Sequence, residues 1–387
     1  MLSKELVEYC YEGAHIHRWN EHIRSNGFTE LDNQAHKMLI AYVLARFEED
    51  DHEVQIDWLK LIEGCIFELM HRNCITDIKP YIYHKMAKKF GPEINQWVYD
   101  TIVERIPDLT PEFKEKFHRY YFDDSYAAME RRILKAASYL STRWEFNIIR
   151  HFNKNIYGIK EINQVIKDEL EDYYSFSGVK KLALKGKTKH FIDLMGKLRF
   201  QKRWVQSPRI PETSVMGHII VVAMLGYFCS DTPEKAISNF ICGLFHDMPE
   251  ALTRDIISPV KRSIPGLDSY IKEIEKDLIE EKLLPLLPST WHRDIIYYTQ
   301  NEFCNKNMVD GKEVLVDEDQ VGAFGTKPVN GTMLKACDNL AAFAEIRLSS
   351  RYGITSPIME HAAQDLIKKY ADTTINGIDF GKIFVEL

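Results

Sequence analysis

The stretch FICGLFHDMPEALTRDIISPVK, residues 240–261, decides how the chain is read. An apolar run with helical spacing leads straight into His246 and Asp247, followed by Glu250 and Asp255. A carboxylate at the end of a buried helix is costly unless it is paired or ligating. The same demand arises in KACDNLAAF (335–343), where Asp338 sits on the apolar stripe of a helix. A third group, His218, opens the apolar run HIIVVAMLGYF (218–228). Adjacent residues on a helix diverge by about 100°, yet both can reach a point above its end. His246 and Asp247 can therefore face one ion together. With His218 and Asp338 they would give a mixed nitrogen and oxygen set for one divalent ion with open positions, able to acidify a bound water.

Each piece has a plainer reading. With 14 histidines in the chain, one His-Asp pair is expected by chance, and a lone His on an apolar face is more often a satisfied core residue. The joint pattern carries the weight. His218 is followed after 28 residues by His-Asp-x-x-Glu-x-x-x-x-Asp, and Asp338 lies 83 residues beyond Asp255.

Outward from these segments the chain reads as all-α. Apolar residues recur at three and four in AHKMLIAYVLARF (35–47), WLKLIEGCIFELM (58–70) and RILKAASYLSTRWEFNII (132–149). The best strand candidate is a short excursion around 312–319. The Lys-rich segment 182–190 is the best linker, which divides the chain into 1–185 and 190–387.

The two parts read as two copies of one plan. Arg18-Trp19 matches Arg203-Trp204, and His36 matches His218. FELMHRNCITDIKP (67–80) parallels CGLFHDMPEALTRDIISP (242–259), and RILKAASYLSTRWEF (132–146) parallels MLKACDNLAAFAEI (333–346). In the first copy His71 is kept, but Arg72 replaces Asp247 and Ser138 replaces Asp338. A positive charge among the ligands repels a cation, so no metal site is expected there.

Bulk properties narrow the classes. A net charge of −7 argues against a nucleic-acid polymer or an anionic membrane as partner. No apolar run is long enough to span a bilayer, and the N-terminus is too polar for a signal peptide. Seven cysteines without a CxxC pair read as reduced residues of a cytoplasmic protein.

The motifs of residues 190–387 resemble the HD-domain metal-dependent phosphohydrolases, and within them the bacterial 5′-deoxynucleotidase (YfbR-like) branch. RWVQSPRIPETSVMGH (203–218), HDMPEALTRDIISPVK (246–261), KACDNLAAF and WHRDIIYYTQNEF (291–303) carry the likeness. The resemblance implies two HD-like helical bundles in tandem, the second holding one divalent ion (Mn²⁺, Co²⁺, Mg²⁺, Zn²⁺ or similar) on His218, His246, Asp247 and Asp338. It implies Arg203 on the substrate phosphate, Trp204 beside the sugar and Glu250 as acid or base. Asp255 would bind the sugar 3′-hydroxyl, and Lys261 and Glu302 would line the pocket. Two positions depart from the branch: Gly217 stands for a Glu, and Arg254 for a Gly.

The expected activity is phosphate release from deoxynucleoside 5′-monophosphates. The alternatives are hydrolysis of a nucleoside triphosphate or other small phosphoester, and a non-catalytic nucleotide-binding regulator. The first copy is expected to act as an intrachain pseudo-dimer partner or, through Arg18, Trp19 and Asp77, as a nucleotide-binding regulatory half; a further homo-oligomer stays open.

Overall fold

The computed structural model describes the chain except residues 1, 25–27, 185, 257 and 262; at 258 and 259 only the backbone is described. Lys185, within the expected linker, lies outside the described residues. The first half contains α1 (Lys4–Tyr11), α2 (Glu30–His52), α3 (Trp58–Ile75), α4 (Pro80–Arg105), α5 (Pro111–Phe122), α6 (Ala128–Ile149), α7 (Ile159–Glu171) and α8 (Ser177–Ala183). The second contains α9 (Lys187–Gly196), α10 (Val215–Phe228), α11 (Pro233–Phe245), α12 (Glu250–Thr253), α13 (Ser258–Lys261), α14 (Leu267–Leu278), α15 (His292–Thr299), α16 (Gly331–Arg351), α17 (Pro357–Tyr370) and α18 (Phe380–Glu386). The fold is all-α with two small additions. An antiparallel sheet of β1 (Lys306–Val309), β2 (Lys312–Leu315) and β3 (Thr326–Val329) runs in the order β2-β1-β3, and β4 (Thr374–Ile375) pairs with β5 (Ile378–Asp379). The expected excursion at 312–319 is therefore strand only over Lys312–Leu315; Glu318–Gln320 form a 3₁₀ turn.

Caps explain where the central helices start. Thr29 accepts from Asp32 N at the head of α2, and Ser214 accepts from Gly217 N at the head of α10. Asp57 and Thr232 do the same for α3 and α11. Each side-chain oxygen satisfies a backbone N–H that has no partner within its helix. Every residue of α10 is buried, so this helix is hydrophobic all round and runs through the core.

Features recur in the two halves. An isolated bridge pairs His17 with Thr29 ahead of α2, and another pairs Lys202 with Ser214 ahead of α10. Between the bridge partners, Trp19 and Trp204 both adopt positive φ, 61° and 58°. The halves are interleaved. Helix α1 packs on α10 and α16, while α9 packs on α2. Tyr11 of α1 donates to the Ala341 carbonyl at 2.8 Å. Conversely Gly196, ending α9, lies where a Cβ would strike the Trp144 ring of α6. Gly217 and Asp32, each the third residue of its helix, meet where α2 and α10 touch: a Cβ on Gly217 would lie 3.1 Å from Asp32 Oδ1. A side chain at 217, such as the Glu usual in the branch, would crowd the Asp32 carboxylate. One continuous core spans both halves.

Candidate active site

Three helices bring the predicted ligands together. His218 sits in the first turn of α10, His246 caps the end of α11, and Asp338 lies in α16. Gly243 makes the approach of α11 to α10 close, because a Cβ there would stand 2.8 Å from Ala223 Cα. Ligand atoms of His218, His246 and Asp338 all lie within 4.8 Å of one another. His218 Nε2 is 3.0 Å from Asp338 Oδ1. Asp247 Oδ2 lies 3.2 Å from His246 Nε2 and 3.9 Å from His218 Nε2.

The donor set fits a divalent cation. His246 Nδ1 donates to the Gly243 carbonyl at 2.7 Å, which turns Nε2 toward the cluster. That Nε2 is buried and lacks an aligned hydrogen-bond partner. Burial alone would raise the Asp247 carboxyl; the neighbouring imidazoles, His246 first, outweigh it and hold the group below the usual carboxylate range. Burial is likewise overcome at Asp338, by Lys335 and then His218. Lys335 Nζ donates to Asp338 Oδ2 at 2.7 Å and lies 4.1 Å over the Phe303 ring. Two anionic carboxylates and two imidazoles in a buried cluster are the chemistry of a cation site.

Glu250 stands one turn beyond His246, with its backbone carbonyl held by Gln201 Nε2 at 2.9 Å. Its Oε2 is buried without a partner. Burial, with Asp247 and Asp255, pushes its carboxyl well above the ordinary value, so it keeps a proton to higher pH than a solvated Glu. Asp255 is also raised, by burial first, though Arg203 and Lys261 pull it down. Lys261 is partly buried and its charge is felt at Glu250, Asp255 and Glu275. Glu302 pairs with Lys272 at 3.5 Å and borders a cavity of about 490 Å³ that reaches His246. Arg254 is exposed and has φ 67°, ψ 162°, a conformation natural to glycine, as in the branch it resembles.

Arg203 and Trp204 are anchored by a residue that sequence reasoning missed. Arg203 Nε and Trp204 Nε1 both donate to Glu345 Oε2, at 3.1 and 2.8 Å. Thr213 Oγ1 donates to the other oxygen at 2.5 Å, and Arg209 lies 3.8 Å from it. The first half has the same clamp. Arg18 Nε and Trp19 Nε1 donate to Glu145 Oε2 at 2.9 and 2.7 Å. A signal existed: Glu145 and Glu345 occupy one place in the paired segments 132–146 and 333–346.

The two halves differ in what the arginine does next. Arg18 Nη1 donates to Glu30 at 2.9 Å and Nη2 to Thr142 at 3.2 Å. Among the described residues, the terminal nitrogens of Arg203 make no such bond. At Glu30's place in its own helix, α10 carries Val215. Other first-half positions are also engaged by their neighbours. Arg72 lies 3.6 Å from Glu30. His71 bonds Asn95 and stacks on Tyr121. His36 bonds the Ile192 carbonyl and lies edge-on to Trp144. Counted from the caps, Asn33 rather than His36 stands at the position of His218, because the register is set by Thr29 and Ser214.

Comparison with known proteins gives a family match and several distant relatives. Residues 195–367 match the HD domain family. The chain is 26% identical over 127 residues to a 5′-deoxynucleotidase of Photobacterium profundum, covering 30% of this chain and 64% of the relative. It is 27% identical over 119 residues to that of Pasteurella multocida, covering 29% and 60%. With 5′-deoxynucleotidase yfbR of Photorhabdus temperata it shares 25% over 112 residues, covering 27% and 56%. The chain thus spans less than two thirds of the length of these curated relatives. No solved structure matches it significantly.

Proposed function

Because the chain carries an HD domain and resembles the 5′-deoxynucleotidases of the YfbR branch, we propose that it is a metal-dependent phosphohydrolase that releases phosphate from deoxynucleoside 5′-monophosphates. The observation that carries the reading is the convergence of His218, His246 and Asp338 within 4.8 Å, flanked by Asp247. A divalent ion held there would supply the electrophile that polarises the phosphoryl group and activates water. The chain's own groups do the rest. Arg203, fixed through Nε, presents its remaining donors to the phosphate in the planar fork suited to it. Trp204, pinned by its indole N–H, is a rigid wall for the sugar. Glu250, buried beside the ligands, gives or takes the proton at the leaving oxygen or the attacking water. Asp255 accepts from the sugar hydroxyl, and Lys261 and Glu302 serve as further pocket groups.

The interleaving of α1 and α9 supports reading the halves as divergent copies packed as an intrachain pseudo-dimer. Among the described residues no helix is long and apolar enough to cross a membrane. The test is phosphate release by protein stripped of metal and then reloaded with Mn²⁺ or Co²⁺, on deoxy- and ribonucleotides as mono- and triphosphates. Metal-dependent release, strongest on deoxymonophosphates, is expected. Turnover that survives stripping sinks the reading, and preference for triphosphates moves the substrate.

A further inference from the structure

The phosphate-facing arginine of this proposed site is itself held by a device that no substrate touches. Glu345 lies on α16, seven residues beyond Asp338, and is fully buried. Its Oε2 takes both the Arg203 Nε and the Trp204 Nε1 hydrogen bonds, and its Oε1 takes the Thr213 hydroxyl. Arg209, also buried, stands 3.8 Å from Oε1 as the second positive charge. Burial would raise the Glu345 carboxyl, but Arg203 and Arg209 bring it down to about 2, so it is an anion at any working pH. The far side is closed by the first half: Tyr11 is buried, and its hydroxyl bonds the Ala341 carbonyl one turn before Glu345.

We propose that Glu345 is the positioning residue that sets the reach of Arg203 toward the substrate phosphate. The inference rests on the reading of Arg203 as the phosphate contact. The carboxylate ties down Nε; among the described residues the terminal nitrogens make no side-chain hydrogen bond, and the Arg203 charge is close enough to Asp338, Asp247 and Asp255 to feel them. It also fixes the Trp204 turn at positive φ, so arginine and indole are set by one anchor. The first half shows what the clamp does when no ligand is served. Glu145 holds Arg18 and Trp19 by the same pair of bonds, yet Glu30 and Thr142 consume the terminal nitrogens. There the clamp is structural only.

The test compares E345Q with E145Q in the full chain loaded with Co²⁺. The readouts are bound Co²⁺, binding of inorganic phosphate, and KM and kcat on deoxyadenosine 5′-monophosphate. In E345Q the Co²⁺ content and spectrum should be unchanged, phosphate binding should weaken and KM rise by about tenfold, and kcat/KM should fall by about 10²-fold, the effect of an Å-scale misplacement of a substrate-positioning group. E145Q should lower thermal stability and leave KM and phosphate binding as in wild type. Unchanged phosphate affinity and KM in folded E345Q would overturn the proposal. Should E345Q fail to fold, T213V removes only the hydroxyl on Oε1; it should move KM in the same direction by a smaller factor, and an unmoved KM would overturn the proposal equally. A wild-type protein that binds Co²⁺ but neither binds phosphate nor turns over would instead bring down the underlying reading, and the proposal with it.

Discussion

Arg18 and Arg203 begin alike. Each follows a short bridge, precedes a tryptophan at positive φ, and gives its Nε to a buried glutamate. They end differently because α2 opens with Glu30 where α10 opens with Val215. In the first half the carboxylate of Glu30 draws in Arg18 and Arg72, and the site closes on its own ion pairs. In the second half the arginine keeps donors to spare, and His246 Nε2 and Glu250 Oε2 stay without an aligned partner among the described residues. The lesson is that one carboxylate, Glu30, decides whether the terminal donors of the arginine are consumed or left open. A regulatory nucleotide in the first half, bound through Arg18, would have to displace Glu30.

The comparison breaks most sharply at the metal position. Asp247→Ala should abolish both bound metal and phosphate release, whereas Arg72→Ala should leave both intact; metal analysis and a phosphate assay on the two proteins decide it. Metal retained by the Asp247 variant would mean the ligands are misassigned.

Next come the two arginines. Removing either breaks a buried ion pair, and a stability loss of about 3–5 kcal/mol is expected for each in chemical denaturation. Only Arg203→Ala should also lower kcat/KM, by about 10²–10³-fold, as for loss of one aligned donor to a charged reacting group. A comparable loss in Arg18→Ala would show that the first half serves catalysis directly.

The buried histidines of the first half sharpen the contrast through pH. Burial, with the Arg199 charge, lowers His36 to about 3, and burial lowers His71 to about 4. The unfolded chain binds these protons near pH 6.5 and the folded chain does not. Their penalty is therefore absent above about pH 7 and grows as pH falls from about 6.5 toward those values, by at most about 1.4 kcal/mol per pH unit for each. Denaturation between pH 7.5 and 5 should show this slope, and His36→Gln should flatten it. An unchanged slope would mean His36 is protonated in the fold.

The smallest effect is expected at the contact between the halves. Gly217→Ala places a methyl 3.1 Å from Asp32 Oδ1 and should reduce stability by about 1 kcal/mol, with metal content unaltered. A stabilised variant would mean that α2 and α10 give way easily there.

Much of this was legible beforehand. Apolar spacing of three and four marks the helices, because one face of each must be buried. His218, His246, Asp247 and Asp338 stand out because polar groups on apolar stripes need partners. Glu345 escaped notice although its segment was aligned with that of Glu145, since one Glu in an amphipathic helix looks like a solvated charge until its face is known. His36 drew attention by residue type, but helix register is set by the cap and puts Asn33 in its place.

What the sequence by itself determined was the class of fold, since that depends on residue type and periodicity along one chain; residue type also singled out His218, His246, Asp247 and Asp338 as the candidate ligands. Which partners each arginine finds was decided only in three dimensions. So were the packing of α1 on α10 and α16, that of α9 on α2, and the closeness of Gly217 to Asp32. These depend on packing between segments far apart in the chain, where a few ångströms separate a satisfied ion pair from an open site.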